Sequence, residues 1–211
     1  IVDGALPDAL SGRQGAFRSH ETNVWGAETD VQAISQWLSR YQGQTRRDYT
    51  RIAERFYLWC IHVRRKALSS LQEPDLQAYQ AFLAAPPADW VQERKVRRED
   101  ASWRPFRGPL GRNSQRHEFT VLGSMFSTML EKGYLRANAM ANMAGTLGLV
   151  KPSIDVRRSF SDRHWAFALQ VLHEKPDTSE RRRLELLLEL GSSTGLRLSE
   201  LATTRMKGFR Q

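Results

Sequence analysis

Cysteine is nearly absent: Cys60 is the only one in 211 residues, so no disulfide can form within the chain. A lone thiol fits a reducing compartment, and its place in an apolar stripe makes it a core residue. No apolar run approaches the roughly 18 residues that a bilayer-spanning helix needs, and no secretory leader is visible. No stretch alternates apolar and polar with conviction, so strands are not expected. Lysine is scarce as well, 6 against 26 arginines.

What the chain has is positive charge. The formal net charge is +9, and the pI of about 10.2 points to a polyanionic partner, nucleic acid foremost. The excess is confined to two patches: residues 43–66 hold seven Arg or Lys against two acids, and residues 92–116 hold eight against three. Arginine's planar fork suits bidentate contact with phosphate and guanine. A merely solubilising surface is the bland alternative, but solubility does not call for such clustering.

Residues 1–27 lack a sustained period and are expected to form a flexible N-terminal arm. From Thr29 the pattern turns helical, with Val31, Ile34, Leu38 and Tyr41 at three- and four-residue steps and Gly43 as a stop. Thr45 is placed to cap a second helix, with Asp48 three residues on in a capping-box position. Its stripe is Tyr49, Ile52, Phe56, Cys60 and Val63, which leaves Arg47, Arg51, His62 and Arg65 on the opposite face. With Arg46, these form a cationic ridge of the width that a major groove admits. A third helix should open near Pro74, carry Leu76, Tyr79, Phe82 and Leu83, and end at Pro86-Pro87.

Residues 86–112 break every period and are long for a helix connection. Their arginines, with Arg94, Lys95, Arg97 and Arg98 foremost, are assigned to DNA, whereas Trp90 and Trp103 favour docking onto their own domain over stacking on bases. Asn113 or Ser114 should cap a fourth helix with the stripe Phe119, Leu122, Phe126, Met129 and Leu130. Arg112, Gln115 and Arg116 in its first turn are placed to meet phosphate or base edges. Gly133 sits where a C′ glycine belongs, with Tyr134 able to fold back. A short fifth helix carries Met140, Met143 and Leu147. Residues 148–159 are expected to form a linker whose cations Lys151, Arg157 and Arg158 join the DNA set. Ser161 then caps a helix with Trp165, Leu169 and Leu172, and Leu184, Leu187 and Leu188 form an expected buried stripe beyond it.

The organising stretch is Thr194-Gly195-Leu196-Arg197-Leu198-Ser199-Glu200-Leu201, a glycine hinge leading into a short helix. An arginine at a helix entrance is at odds with the dipole, yet beside outward-pointing N–H groups it makes a phosphate site. This octet resembles the first-arginine motif of the tyrosine site-specific recombinases, the phage integrase family. Glu131 to Asn138 resembles the close of that family's last long core-binding helix, and Ser161-Asp162-Arg163-His164 resembles the start of its catalytic domain. Ala139 and Gly208 stand where the family often has proline and aspartate.

The resemblance implies a mainly all-α chain. It would comprise a SAM-like helical core-binding domain over residues 28–147 and, over 160–211, the first helices of an incomplete catalytic domain. It implies strand cleavage by a tyrosine through a 3′-phosphotyrosine, with neither metal nor cofactor. Arg197 would face the scissile phosphate in the transition state, and Glu200 would support it. The family's hairpin lysine, His-x-x-Arg box and nucleophile map to no residue here, so the chain is expected to be a fragment that binds DNA without cutting it. The implied partners are double-stranded DNA and further protomers in a tetramer on paired sites, in the bacterial cytoplasm and on the nucleoid when bound. A non-catalytic DNA-binding derivative of a recombinase and a helical protein-interaction module are the alternatives.

Overall fold

The computed structural model describes residues 6–94, 96–149 and 160–203. All regular elements among them are helical, and two isolated β-bridges, Arg18 with Leu135 and Val91 with Phe106, are the only strand-like pairings there. The chain divides into two compact units, Ile1–Pro152 and Ser153–Gln211.

Among the described residues the first unit holds six α-helices: α1 (Asp8–Ser11), α2 (Asp30–Leu38), α3 (Gly43–Trp59), α4 (Glu73–Ala84), α5 (Arg112–Glu131) and α6 (Met143–Thr146). In α2 the Thr29 side chain accepts the Gln32 N–H, while Val31, Ile34 and Trp37 turn inward. Helix α3 begins at Gly43, two residues before the expected cap, so Asp48 is free of capping and binds Arg51 and His117 instead. Ile52, Phe56 and Cys60 are buried as their spacing predicts, but Val63 is 42% exposed. The helix closes in a π-turn, Cys60–Arg64, whose wider winding rotates Val63 off the stripe and leaves Arg65 left-handed at φ 51°. Helix α4 opens on a reciprocal capping box between Gln72 and Asp75, with Pro74 in the first turn. Asp75 also binds Arg64 and Lys66, which ties the π-turn to α4. Burial alone would raise the Asp75 carboxyl, but the Gln72 N–H and these two cations hold it below the ordinary value.

Helix α5 packs against α2, α3 and α4 through Phe119, Leu122, Phe126 and Met129, while Leu130 is 40% exposed and lies outside the expected stripe. Gly133 is left-handed at φ 72° and lets the Tyr134 N–H reach the Met129 carbonyl at 2.9 Å, which closes the last turn. Helix α6 is a single turn whose Met143 is buried; Met140 just before it is buried too, and Leu147 just after it packs partly against the core.

Residues 6–27, expected to be a flexible arm, are docked on the unit. Phe17 exchanges backbone bonds with Ser69 and Arg136 (2.8 and 2.9 Å), and Ser19 and Val24 donate to the carbonyls of Tyr134 and Lys132 (2.9 and 3.0 Å). Asn23 closes a loop onto Ala27 with both ends of its buried amide. Apart from the single turn of α1 the segment has no helical period, because non-local backbone bonds hold it.

The second unit contains α7 (Asp162–His173), α8 (Ser179–Thr194) and α9 (Leu198–Thr203). Ser161 caps α7 and Thr178 caps α8, and Gly195 ends α8 at φ 67°. The expected buried stripe of α8 is not buried: Leu184 and Leu187 are exposed and Leu188 is half-buried. The described part of this unit supplies too few layers to cover them.

Candidate nucleic-acid interface

The two basic patches meet in the first unit because α3 and α5 pack together and the 86–112 segment folds over their ends. That segment is anchored. After Pro86-Pro87 a 3-10 turn sets Trp90 edge-on to Phe82, with ring centroids 5.1 Å apart, and Phe106 is buried beside both. Gln92 donates to Phe106 and Phe106 to Trp90 (2.7 and 3.2 Å), and Leu110 returns to the Leu83 carbonyl at 2.8 Å. Trp90 is thus docked, as favoured. Trp103 is half-buried with the Arg98 guanidinium 3.8 Å over its ring, and Arg98 also pairs with Glu54 on α3.

Beneath the loop, Arg55 is 3% exposed and pairs with Glu118 of α5 at 3.0 Å, while Tyr79 donates to the same carboxylate. Burial pushes the Glu118 carboxyl up, and the Arg55 charge opposes that. The Phe106 ring covers Arg55 at 4.5 Å. Nearer the surface, His117 of α5 lies 2.7 Å from Asp48 of α3, and Arg51 holds the other carboxylate oxygen at 2.5 Å. Burial works against the Asp48 charge, but the bonds from His117 and Arg51 outweigh it and keep the carboxyl below its ordinary value. These two bridges fix α3 against α5 and set the spacing of the arginines that they carry.

Arg46, Arg47 and Arg51 are exposed on the first turns of α3, with Arg47 held by Gln44 at 2.8 and 3.1 Å. Arg94 and Arg97 are exposed on the loop. Arg112 is exposed and donates to the Gly148 carbonyl at 3.0 Å, and Arg116 is half-buried. Gln115 is a correction: it is 5% exposed, and its amide donates to the Leu110 carbonyl at 2.6 Å, so it holds the loop and is closed to a ligand. Arg65 stands apart, 14 residues beyond Arg51 along α3 and its π-turn, or roughly 20 Å at helical rise. Lys95, Lys151, Arg157 and Arg158 lie outside the described residues. Arg104 and Arg107 belong to the loop arginines assigned to DNA but not to the foremost four. They join Arg51, Arg55 and Arg94 around a cleft of about 830 Å³ between α3, the loop and the start of α5. Their nearness to Pro105, Gly108 and Pro109 was the available signal, since such residues turn a chain back on itself.

Comparison with protein-family models, curated proteins and solved structures finds no match to this chain.

In the second unit Arg197 stands immediately before α9. Its backbone N–H donates to Glu200 Oε2 at 2.8 Å and its guanidinium lies 3.4 Å from Oε1. Glu200 therefore caps the helix from its third position and holds the arginine by main chain and side chain together. The guanidinium remains 84% exposed. It is restrained at one edge and open at the others, which suits an anion arriving from solvent.

Proposed function

We propose that this chain is the DNA-binding portion of a tyrosine site-specific recombinase of the phage integrase family. It would grip duplex DNA through the α3, α5 and loop arginines and present Arg197 to one phosphodiester. The observation that carries the reading is Arg197 at the head of α9, tethered by Glu200 with its guanidinium open, in a chain whose other unit concentrates arginine on one set of elements. In the proposed enzyme a tyrosine outside these residues attacks the phosphate, and the non-bridging oxygens gain charge. Arginines already oriented toward them lower that barrier, and loss of one such donor costs about 2.7–4 kcal/mol. Double-stranded DNA in the bacterial cytoplasm and further protomers on paired sites are the proposed partners.

Two measurements test this. Duplex binding by the chain should weaken linearly on a log–log salt plot, with a slope of about −0.9 per phosphate neutralised. A flat slope would remove the DNA reading and favour the protein-interaction module. With a nicked suicide substrate the chain should give no covalent protein–DNA band, and a band would overturn the assignment of the nucleophile to residues outside it.

A further inference from the structure

The cleft over α5 has the makings of a phosphate site beyond a general basic face. Helix α5 is 20 residues long, its N-cap is Gly111, no side chain caps it, and its first turn contains no acid. The earliest helical amide in use is Gln115, which donates to Gly111 at 3.0 Å. Among the described residues the amides of Arg112, Asn113 and Ser114 meet no protein acceptor. Gly111 and Ser114 line the cleft, so this positive helix end opens into it.

A second, independent observation points the same way. Arg55 also lines the cleft, is 3% exposed, and has a buried Nε with no partner. Its Nη1 is held by Glu118, so the side chain stays in place while one donor goes unused. Arg94 and Arg107 have no carboxylate partner among the described residues, and Arg104 spends one nitrogen on the loop carbonyls of Ala101 and Trp103. One acid, Glu93, lies among the lining residues. The volume of about 830 Å³ falls within the range of small-molecule sites and far exceeds what a bare ion needs.

We infer that this cleft binds a phosphate ester of nucleotide size, with the phosphate on the α5 N-terminus and the arginines around it. The phosphate belongs either to a free nucleotide or to a DNA strand; in the second case the inference deepens the DNA reading above and rests on it.

The test uses the full chain, ADP without metal, a duplex DNA, and two variants. Gly111→Asp places a carboxylate at the N-cap, where the backbone (φ −65°, ψ 160°) accepts it and nothing lies within 4 Å of a new Cβ. It should raise the melting temperature, because Asp caps better than Gly, while its charge occupies the amides that the ligand would use. Arg107→Ala removes an exposed guanidinium. By calorimetry, each variant should weaken ligand binding by about tenfold or more. ADP binding lost in both variants establishes the free-nucleotide source. Duplex binding lost in both, with no ADP binding, establishes the strand source. Duplex binding unchanged in both variants, with no ADP binding, overturns the cleft while leaving the DNA reading intact. ADP binding without duplex binding keeps the cleft and removes the DNA reading. Binding of neither ligand ends both.

Discussion

The Tyr134 hydroxyl donates to Oδ1 of Asp30 across 2.8 Å, joining the turn after α5 to the first turn of α2. The other Asp30 oxygen accepts the Ser69 N–H at 3.2 Å. Burial raises the Asp30 carboxyl from 3.8 to about 6, and the bonds from Tyr134 and Ser69 only partly offset that.

A raised acid binds its proton more tightly when folded, so this group favours the folded state below about pH 4 and loses that contribution as pH rises through 6. Asp30→Asn removes the titration. Between pH 7.5 and 4.5 the unfolding free energy of the wild type should gain about 2 kcal/mol relative to the variant. Urea unfolding at the two pH values measures it, and a constant gap would mean that Asp30 does not titrate in this range.

Removing one member of the Arg55–Glu118 pair strands the other in the core. Arg55→Ala should cost about 3–5 kcal/mol, whereas replacing both with apolar residues of similar volume should cost far less. Chemical denaturation of the single and double variants decides this. Equal losses would show that shape rather than stranded charge sets the penalty.

Gly12 adopts φ 88°, and a Cβ there would sit 2.3 Å from the Asp30 carboxyl carbon. Gly12→Ala should therefore destabilise by more than the about 1–3 kcal/mol of backbone strain alone. Gly145→Ala, in a helical turn with nothing within 4 Å, should cost nothing. Thermal melts of the two compare them directly, and equal melting points would contradict the docking of Gly12 against α2.

No residue of α7 or α8 is fully buried, whereas the first unit has a continuous apolar core. A chain ended at residue 152 should keep the main cooperative unfolding transition within a few degrees. Calorimetry of the shortened chain measures it, and loss of the transition would show that the second unit is needed for the first to fold.

The legible parts of the fold are those that local physics decides. Pro74 and the Leu76–Tyr79–Leu83 stripe are enough to place α4, and Gly133 announces the turn that folds Tyr134 inward. Partners distant in sequence decide the rest. Arg55 lies in a basic run with no local mark of burial, and only the return of α5, 63 residues later, supplies the Glu118 that buries it. Gln115 reads as a first-turn polar residue open to a ligand until Leu110 closes over it. Val63 is misplaced because one extra residue in the π-turn leaves no mark on an apolar period. At the candidate interface, clustering of arginine is visible in composition, but which guanidiniums are spent internally is not. Arg98 on Glu54 and Arg112 on Gly148 are known only once the loop is closed.

The docked N-terminal segment changes where this domain may be cut. Composition invites trimming at residue 28, where periodicity starts. Such a chain would lose the Phe17 bonds to Ser69 and Arg136 and the Asn23 clasp on Ala27, and with them the cover over Leu135 and the 68–71 turn. A protease offered the intact protein should therefore spare residues 8–27. An expression boundary drawn by hydrophobic pattern would instead yield an aggregation-prone product, because for this domain the irregular strap is part of the fold's outer wall.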